Sequence, residues 1–314
     1  VFQQEIMLLS GNANRKLSEE ISNYLEIPLL DALVSQFSDG ETRVEICQNI
    51  RGKNVYILQS LSAPINHHIM ELLVMVDACK RASASNIIVV LPYFAYARQE
   101  RKSASRTPIT AKLLAELLEA SGVDRVLTLE LHNSAIQGFF NIPVDHLYSK
   151  IIFYNYFKGK DPSQIIIVSP DAGGAERARA LAKKFGSGMA IIDKRRDRPN
   201  ECAAMKVLGS VEGKDCIILD DIVDTAGSLT KACQALLQDG ARSVSAAISH
   251  PVLSGKAIEN IKNSELKELV VTNSIGLSDE AKSCEKIVQL SLGDLLGEAI
   301  KRVHMKDSIS HLFV

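Results

Sequence analysis

The chain has 314 residues, 46% of them hydrophobic and 23% charged, and a formal net charge of -1. A prior of about 150 residues per domain points to two domains, while 5% aromatics, no Trp and a balanced charge argue against a nucleic-acid platform. No apolar run approaches the roughly 20 residues that span a bilayer, and the opening "VFQQEIMLLSGN" lacks a basic n-region and cleavage pattern, so the expectation is a cytoplasmic protein with no membrane partner.

Along the chain, "FSDGE", Phe37 to Glu41, reads as a turn by composition. A functional version offers Phe37 as a stacking surface for a base, with Asp39 and Glu41 as acceptors for an amino group. Short runs rich in Ile, Val and Leu then recur: "VYILQS", "NIIVVLPY", "RVLTLEL", "QIIIVSP", "MAIID", "CIILDD", "SVSAAISHPV" and "ELVVTNS". Apolar residues at i, i+3 and i+4 predict helices over Ile65 to Lys80, Thr110 to Ala120, Gly174 to Phe185 and Gly227 to Gln238. Strand and helix alternating in this way predict an α/β fold with mostly parallel sheets covered by helices. The six cysteines are scattered without metal-ligand spacing, which predicts reduced thiols and neither disulfides nor zinc.

Several strand ends carry polar clusters. "LPYFAYARQERKSASRTPITAK" places Arg98, Gln99, Arg101, Lys102 and Arg106 in a loop before a helix expected to open at Pro108. Arginine offers bidentate donors to phosphate and a flat face to a base, although an isolated basic loop is often merely solvated. "LELHNSAIQGFF" puts His132 just past one strand, and "SPDAGGAERAR" puts Asp171 past another. An imidazole and a carboxylate so placed can anchor hydrated Mg²⁺. "DKRRDRPN" offers Lys194 and Arg196 to neutralise charge on a transferring phosphoryl group.

The densest cluster is "DDIVDTAGS", Asp220 to Ser228, between an apolar strand and a helix. Three carboxylates so close raise one another's pKa values, so the fold gains little from them unless a ligand binds. Ala226 and Gly227 let a phosphate approach the backbone, and the hydroxyls of Thr225 and Ser228 join the helix-start amides as donors. Asp220 and Asp221 can accept from a sugar diol or hold Mg²⁺ through water. An internal echo sharpens this reading. "GKNVYILQS" from Gly52 and "GKDCIILDD" from Gly213 introduce similar strand-loop-helix units, yet Gln59 and Ser60 stand where the second has Asp220 and Asp221. The acidic pair is therefore not needed to build the unit. The expected boundary between units lies near "NIPVDHLYSK", Asn141 to Lys150.

Together with "LLSGNAN", "PITAK", "IIDKRR" and the tail "SISHLF", these motifs closely resemble the ribose-phosphate diphosphokinase (phosphoribosyl-diphosphate synthetase) family nearly end to end. The resemblance implies two type I phosphoribosyltransferase-like domains: 1–146, carrying the ATP loop, and 147–304, binding ribose 5-phosphate, with the tail 305–314 packing back on the first. It implies transfer of the β,γ-diphosphoryl group of Mg-ATP to the anomeric hydroxyl of ribose 5-phosphate, giving 5-phospho-α-D-ribose 1-diphosphate and AMP for nucleotide, histidine and tryptophan biosynthesis. Asp220, Asp221, Asp224, Thr225, Ala226, Gly227 and Ser228 would hold the sugar phosphate. Arg98 and Gln99 would bind ATP, with Phe37, Asp39 and Glu41 completing the adenine site from a neighbouring subunit. His132 and Asp171 match the family's metal positions beside a second Mg²⁺, and Lys194 with Arg196 match the pair that stabilises the transition state. A homohexamer and activation by inorganic phosphate are further implications, as is an inhibitory site at Ser105, Arg106, Ser308, Ser310 and Phe313. Glu100, "HNSAIQ" and "SASRTP" depart from the family pattern without removing a catalytic group. A phosphoribosyltransferase sharing the acidic loop, or a catalytically silent regulatory homologue, are the alternatives.

Overall fold

The computed structural model describes residues 6–195 and 204–313, without the side chains of residues 194, 195, 204, 311 and 313. By contact the chain divides into two units. The first comprises the residues up to Tyr148 with Ser274–Gly276 and the stretch from Ser291, and the second comprises Ser149–Asn273 and Leu277–Leu290.

The first unit contains β1 (Ile6–Ser10), α1 (Arg15–Leu25), β2 (Ala32–Gln36), β3 (Thr42–Ile46), β4 (Asn54–Leu58), α2 (Ile65–Arg81), β5 (Asn86–Leu91), α3 (Thr110–Ser121), β6 (Arg125–Leu129) and β7 (Val144–Leu147). Its sheet runs β1-β4-β5-β6-β7, all parallel. The central strands are buried along nearly their whole length, as a sheet covered on both faces requires. β2 and β3 form a separate antiparallel hairpin. α3 begins after an N-cap at Ile109, so Pro108 precedes the helix instead of opening it. β1, α1 and the hairpin lie outside the elements that apolar runs predicted: β1 is buried but only five residues long, and the hairpin strands are short and partly exposed.

The second unit holds α4 (Lys150–Phe157), β8 (Ile165–Ser169), α5 (Ala175–Phe185), β9 (Gly188–Arg195), β10 (Ala204–Leu208), β11 (Asp215–Val223), α6 (Gly227–Gln238), β12 (Ser243–Pro251), α7 (Ala257–Asn263), β13 (Glu268–Thr272), α8 (Asp279–Lys282) and β14 (Ile287–Leu290). Strand order is β10-β9-β8-β11-β12-β13-β14, parallel except for β10 on β9. Alternation along the strands divides the core. Ile165, Ile167, Ile217 and Leu219 meet Phe153 and Phe157 of α4 and Leu181 of α5 on one face. Val168, Ile218 and Val244 meet Leu229 and Leu236 of α6 and Ile261 of α7 on the other. Each such fully buried aliphatic side chain contributes about 1.5–3 kcal/mol.

The last helix, α9 (Gly293–Met305), departs from the expected domain limits. Expected within a second domain ending at 304, it belongs by contact to the first unit. Tyr24 of α1 donates to Glu298 Oε2 at 2.9 Å, and a Cβ on Gly297 would lie 2.4 Å from the Tyr24 ring, so glycine permits the close approach. Beyond α9, Arg302 Nη1 donates to Ser308 O at 3.1 Å, tying down the start of the tail.

Candidate active site

In the second unit β9 leaves to one side of β8 while β11 and its successors lie on the other, which makes the carboxyl ends of β8 and β11 a topological switch point. β11 pairs with β12 as far as Val223 but with β8 only as far as Ile218. One edge of the strand is thus released where Asp220 and Asp221 stand. The apolar run "CIILDD" was expected to end at the acids, yet the strand continues past them to Val223. Pairing with β12 keeps the chain extended through Val223, and the loop proper is only Asp224 to Ala226.

Asp221 is buried. Its amide donates to Asp220 Oδ1 at 2.9 Å, and Arg177 Nη1 of α5 lies 3.4 Å from Asp221 Oδ1 and 3.6 Å from Asp220 Oδ1. Burial, then the adjacent Asp221 carboxylate, push the Asp220 carboxyl up to about 8, with Arg177 opposing. Ala226 holds a left-handed φ of 61°, a conformation side chains rarely adopt outside specialised turns. α6 then starts without a side-chain cap, so its first amides point outward as a ready anion seat. Three side chains or amides from the β12–α7 region pin the turn: Ser254 Oγ donates to Asp224 Oδ1, Leu253 N to Val223 O at 3.1 Å, and Asn260 Nδ2 to Thr225 O at 2.9 Å. Thr225 and Ser228 are exposed.

At the end of β8, Asp171 Oδ1 accepts from Gly174 N at 3.0 Å, while Ser169 Oγ donates to Asp171 O at 2.7 Å. A Cβ on Gly174 would sit 2.8 Å from Ser169 Oγ, so the glycine permits this tight turn. Lys194 lies near the end of β9, opposite Met205 in the register. Its side chain and all of Arg196 lie outside the described residues.

In the first unit, Arg98 and Gln99 are exposed in the segment between β5 and α3. Gln99 Oε1 accepts from Thr110 Oγ1 at 2.6 Å and its carbonyl from Ala111 N at 3.3 Å, so Gln99 is fastened to the first turn of α3. Ser105 and Arg106 are exposed further along, where Thr107 Oγ1 donates to Ala104 O at 2.8 Å. His132 is exposed just past β6, on the strand adjacent to β5. The Phe37–Glu41 stretch is the hairpin turn, closed by Phe37 N to Glu41 O at 2.8 Å and by Glu41 N to Asp39 Oδ1 at 3.0 Å. Phe37 is 50% exposed, and the Arg43 guanidinium lies 5.8 Å from its ring centroid. In the tail, Ser308 Oγ donates to Ser310 Oγ at 3.1 Å, and the Phe313 side chain lies outside the description.

The acidic strand end, its turn and Asp171 thus gather in the second unit, while Arg98, Gln99, His132 and the hairpin turn belong to the first. Sequence reasoning missed Arg177, Ser254 and Asn260. Arg177 carried a signal, a cation six residues after Asp171 on the same helix face that meets β11, whereas Ser254 and Asn260 reach the turn only through tertiary packing.

Comparison with known proteins adds a consistent set of similarities. Residues 6–122 match a family model described as the N-terminal domain of ribose phosphate pyrophosphokinase, and residues 194–314 match one described as the phosphoribosyl synthetase-associated domain. The chain is 54% identical to the ribose-phosphate pyrophosphokinase of Bacillus subtilis (strain 168), over 99% of this chain and 98% of that one. It is 52% identical to that of Corynebacterium ammoniagenes, over 98% and 97%. The crystal structure of phosphoribosylpyrophosphate synthetase from Mycobacterium smegmatis aligns with a TM-score of 0.91 at 35% identity, covering 96% of this chain and 99% of that one.

Proposed function

The chain belongs to the ribose-phosphate pyrophosphokinase family, and on that footing we propose how its residues divide the work of moving a diphosphoryl group from ATP to ribose 5-phosphate. Its fold is α/β, with two phosphoribosyltransferase-like domains, each a mostly parallel sheet flanked by helices. It is a diphosphotransferase of nucleotide biosynthesis.

The second unit takes the sugar phosphate. Asp220 and Asp221 accept from the ribose hydroxyls, and the uncapped start of α6 with Thr225, Gly227 and Ser228 receives the 5-phosphate. Asp224, held by Ser254, keeps the turn in its left-handed shape at Ala226. The observation that carries this assignment is the pairing of a crowded acidic strand end with an adjacent anion seat: one part suits a diol and the other a phosphate. The first unit takes ATP, with Arg98 and Gln99 against the nucleotide and Phe37, Asp39 and Glu41 supplying the adenine pocket of a neighbouring copy. Lys194 and Arg196 neutralise charge developing on the transferred group. Nothing in this assignment needs a covalent nucleophile, because alignment of two bound reactants supplies a large share of the acceleration.

Oxygen donors dominate the second-unit set, and a cation would relieve the crowding that raises Asp220. That chemistry fits Mg²⁺, which takes one or two carboxylates and keeps several waters. Asp171 is the second unit's candidate ligand and His132 the first unit's. When bound, Mg²⁺ neutralises polyphosphate charge. Among the described residues no helix is long and apolar enough to cross a membrane; a cytoplasmic setting is part of this proposal and rests on the scattered spacing of the cysteines. The shared adenine pocket calls for a homo-oligomer, a hexamer by family likeness, which mass measurement in solution would test, and titration with inorganic phosphate would test activation. Phosphorus NMR of the full chain with ribose 5-phosphate and Mg-ATP is expected to show AMP appearing in step with a new diphosphate ester. Release of free pyrophosphate, or transfer of a single phosphate, would overturn the assignment.

A further inference from the structure

The first unit buries a carboxylate to which the division of labour above gives no task. Glu71 of α2 is 0% exposed. Its Oε1 accepts from Asn12 N and from Gln59 Nε2, both at 2.8 Å, and its Oε2 accepts from Asn12 Nδ2 at 2.8 Å and faces His67 Nε2 at 3.6 Å. A buried carboxylate supplied this fully is held in one place, since moving it would strand a desolvated charge.

Two arms lead from this fixed group to β2. Asn12 Nδ2 also donates to Val34 O at 3.0 Å. Gln36 Nε2 lies 3.0 Å from His67 Nδ1 and 3.4 Å from its Nε2, so the imidazole stands between Gln36 and Glu71. Gln36 is the last residue of β2, and the next residue is Phe37. Among the described residues β2 and β3 pair only with each other; β3 packs along α2 and the chain entering β2 bridges to β1 at Leu29, so the polar links at Val34 and Gln36 act on a hairpin already seated at its base. The grip from Glu71 falls on the final residues before the Phe37–Glu41 turn.

We infer that Glu71 is a positioning residue for the nucleotide base: acting through Asn12 and through His67 and Gln36, it sets the orientation of the Phe37–Glu41 turn and hence ATP affinity and base selectivity. The inference rests on the reading of that turn as part of the adenine pocket. Glu71 itself touches no substrate.

Steady-state kinetics of the full chain with ATP and with GTP test it, using Gln36→Ala and His67→Phe to cut one arm, Glu71→Gln to weaken the hub, and Phe37→Ala as the benchmark. Loss of one polar link is expected to raise the KM for ATP about three- to ten-fold in Gln36→Ala and His67→Phe. The preference for ATP over GTP narrows, while kcat and the KM for ribose 5-phosphate stay within about two-fold, because uniform binding and not the transition state is affected. Glu71→Gln should show the larger shift. Gln36 is exposed, so that variant carries the test if Glu71→Gln fails a thermal-melting check. A raised KM in Phe37→Ala with none in Gln36→Ala and His67→Phe would overturn the relay alone, as would a fall in kcat at constant KM. An unchanged KM in Phe37→Ala would overturn the adenine reading and the relay with it.

Discussion

The two halves of this chain contain the same strand-loop-helix unit put to opposite uses. Gly52 and Gly213 open the copies with matching left-handed φ values of 69° and 67°. Their amides donate to Ser83 O and Gly240 O at 2.9 and 2.8 Å, and Lys53 N and Lys214 N each donate to a carbonyl three residues back at 3.0 Å. At the far end of β4 and β11 the likeness stops. In the first copy Gln59 donates to Glu71, so an internal carboxylate settles the strand end with neutral donors. In the second, Asp220 and Asp221 crowd together with Arg177 beside them. The preceding strands diverge in parallel: "SGNAN" brings Asn12 to Glu71, and "SPDAGG" presents Asp171. One copy has supplied its own anion and closed. The other keeps its acids at the strand end; the helix that follows starts without a side-chain cap in both copies, so the carboxylates make the difference.

The antiparallel pairs extend the comparison. β2 ends in Gln36 and hands the chain to Phe37 with Asp39 and Glu41, whereas β9 ends with Lys194 and Arg195 just before Arg196. On the assignment proposed above, Phe37, Asp39 and Glu41 face a base and Lys194 with Arg196 a polyphosphate. Lys194→Ala breaks the comparison most severely. A donor lost from a developing anion costs roughly 10²- to 10³-fold in kcat, and the KM for ATP should move far less if the lysine acts in the transition state. Equal losses in both constants would assign Lys194 to ground-state binding instead.

The next largest effect comes from writing the first copy into the second, as Asp220→Gln with Asp221→Ser. β4 shows that the strand forms without acids, so circular dichroism should be unchanged. Above about pH 8, where the Asp220 carboxyl has ionised, loss of charge-assisted bonds to the sugar, about 1.5–3 kcal/mol each, should raise the KM for ribose 5-phosphate at least ten-fold. An unaltered KM would mean the acids serve something other than the sugar.

A smaller effect concerns pH. With Asp220 held up at about 8, against an ordinary 3.8, kcat/KM for ribose 5-phosphate should climb as pH rises through about 8, because that ratio reports groups of the free enzyme. Asp221→Asn removes the neighbouring charge and should move the inflection to lower pH. The stability sign is the reverse. A folded value above the unfolded one means that the bound proton stabilises the native state, and this contribution disappears as pH rises through about 8. The loss therefore accumulates between about pH 4 and 8 and levels off above, and replacement of Asp220 by Asn should flatten the fall in thermal stability across that window.

Much of the architecture is legible in the apolar runs, since strands buried on both faces leave continuous Ile and Val. The acidic stretch is legible too, as crowding with no structural benefit. What escapes is whatever depends on partners distant in sequence. β2 and β3 carry half-exposed residues and leave no apolar run. α9 carries an ordinary amphipathic pattern, and partners far away in the chain, among them Tyr24, Asn54 and Tyr56, decide where it packs. The strand nature of Asp220 and Asp221, poor strand formers, comes from pairing along β12 and from Ile222 and Val223 that follow them. Glu71 sits within a helical pattern as one more polar residue, and its burial becomes visible only when Asn12 and Gln59 fold onto it.

The mildest contrast lies at the start of the paired strands. In the first copy Asn86 Nδ2 donates to Asn54 Oδ1 at 2.7 Å, a neutral pair across β5 and β4. At the corresponding place Asp215 accepts from Arg242 Nε at 3.0 Å and Nη2 at 2.7 Å, and from Ser243 Oγ at 2.7 Å. The Arg242 hydrogen bonds lower the Asp215 carboxyl to about 2 from an ordinary 3.8, against the opposing effect of burial. A depressed folded value means the stabilisation is present above pH 3.8 and is lost as pH falls through about 2. Solvent screens much of it, since the Arg242 side chain is 52% exposed. Asp215→Asn, which copies the neutral arrangement of Asn54, should then cost less than about 1 kcal/mol in urea unfolding at pH 7. The difference should shrink in high salt and vanish near pH 2. A loss several times larger, insensitive to salt, would show that the second copy depends on this ion pair for its fold in a way the first does not.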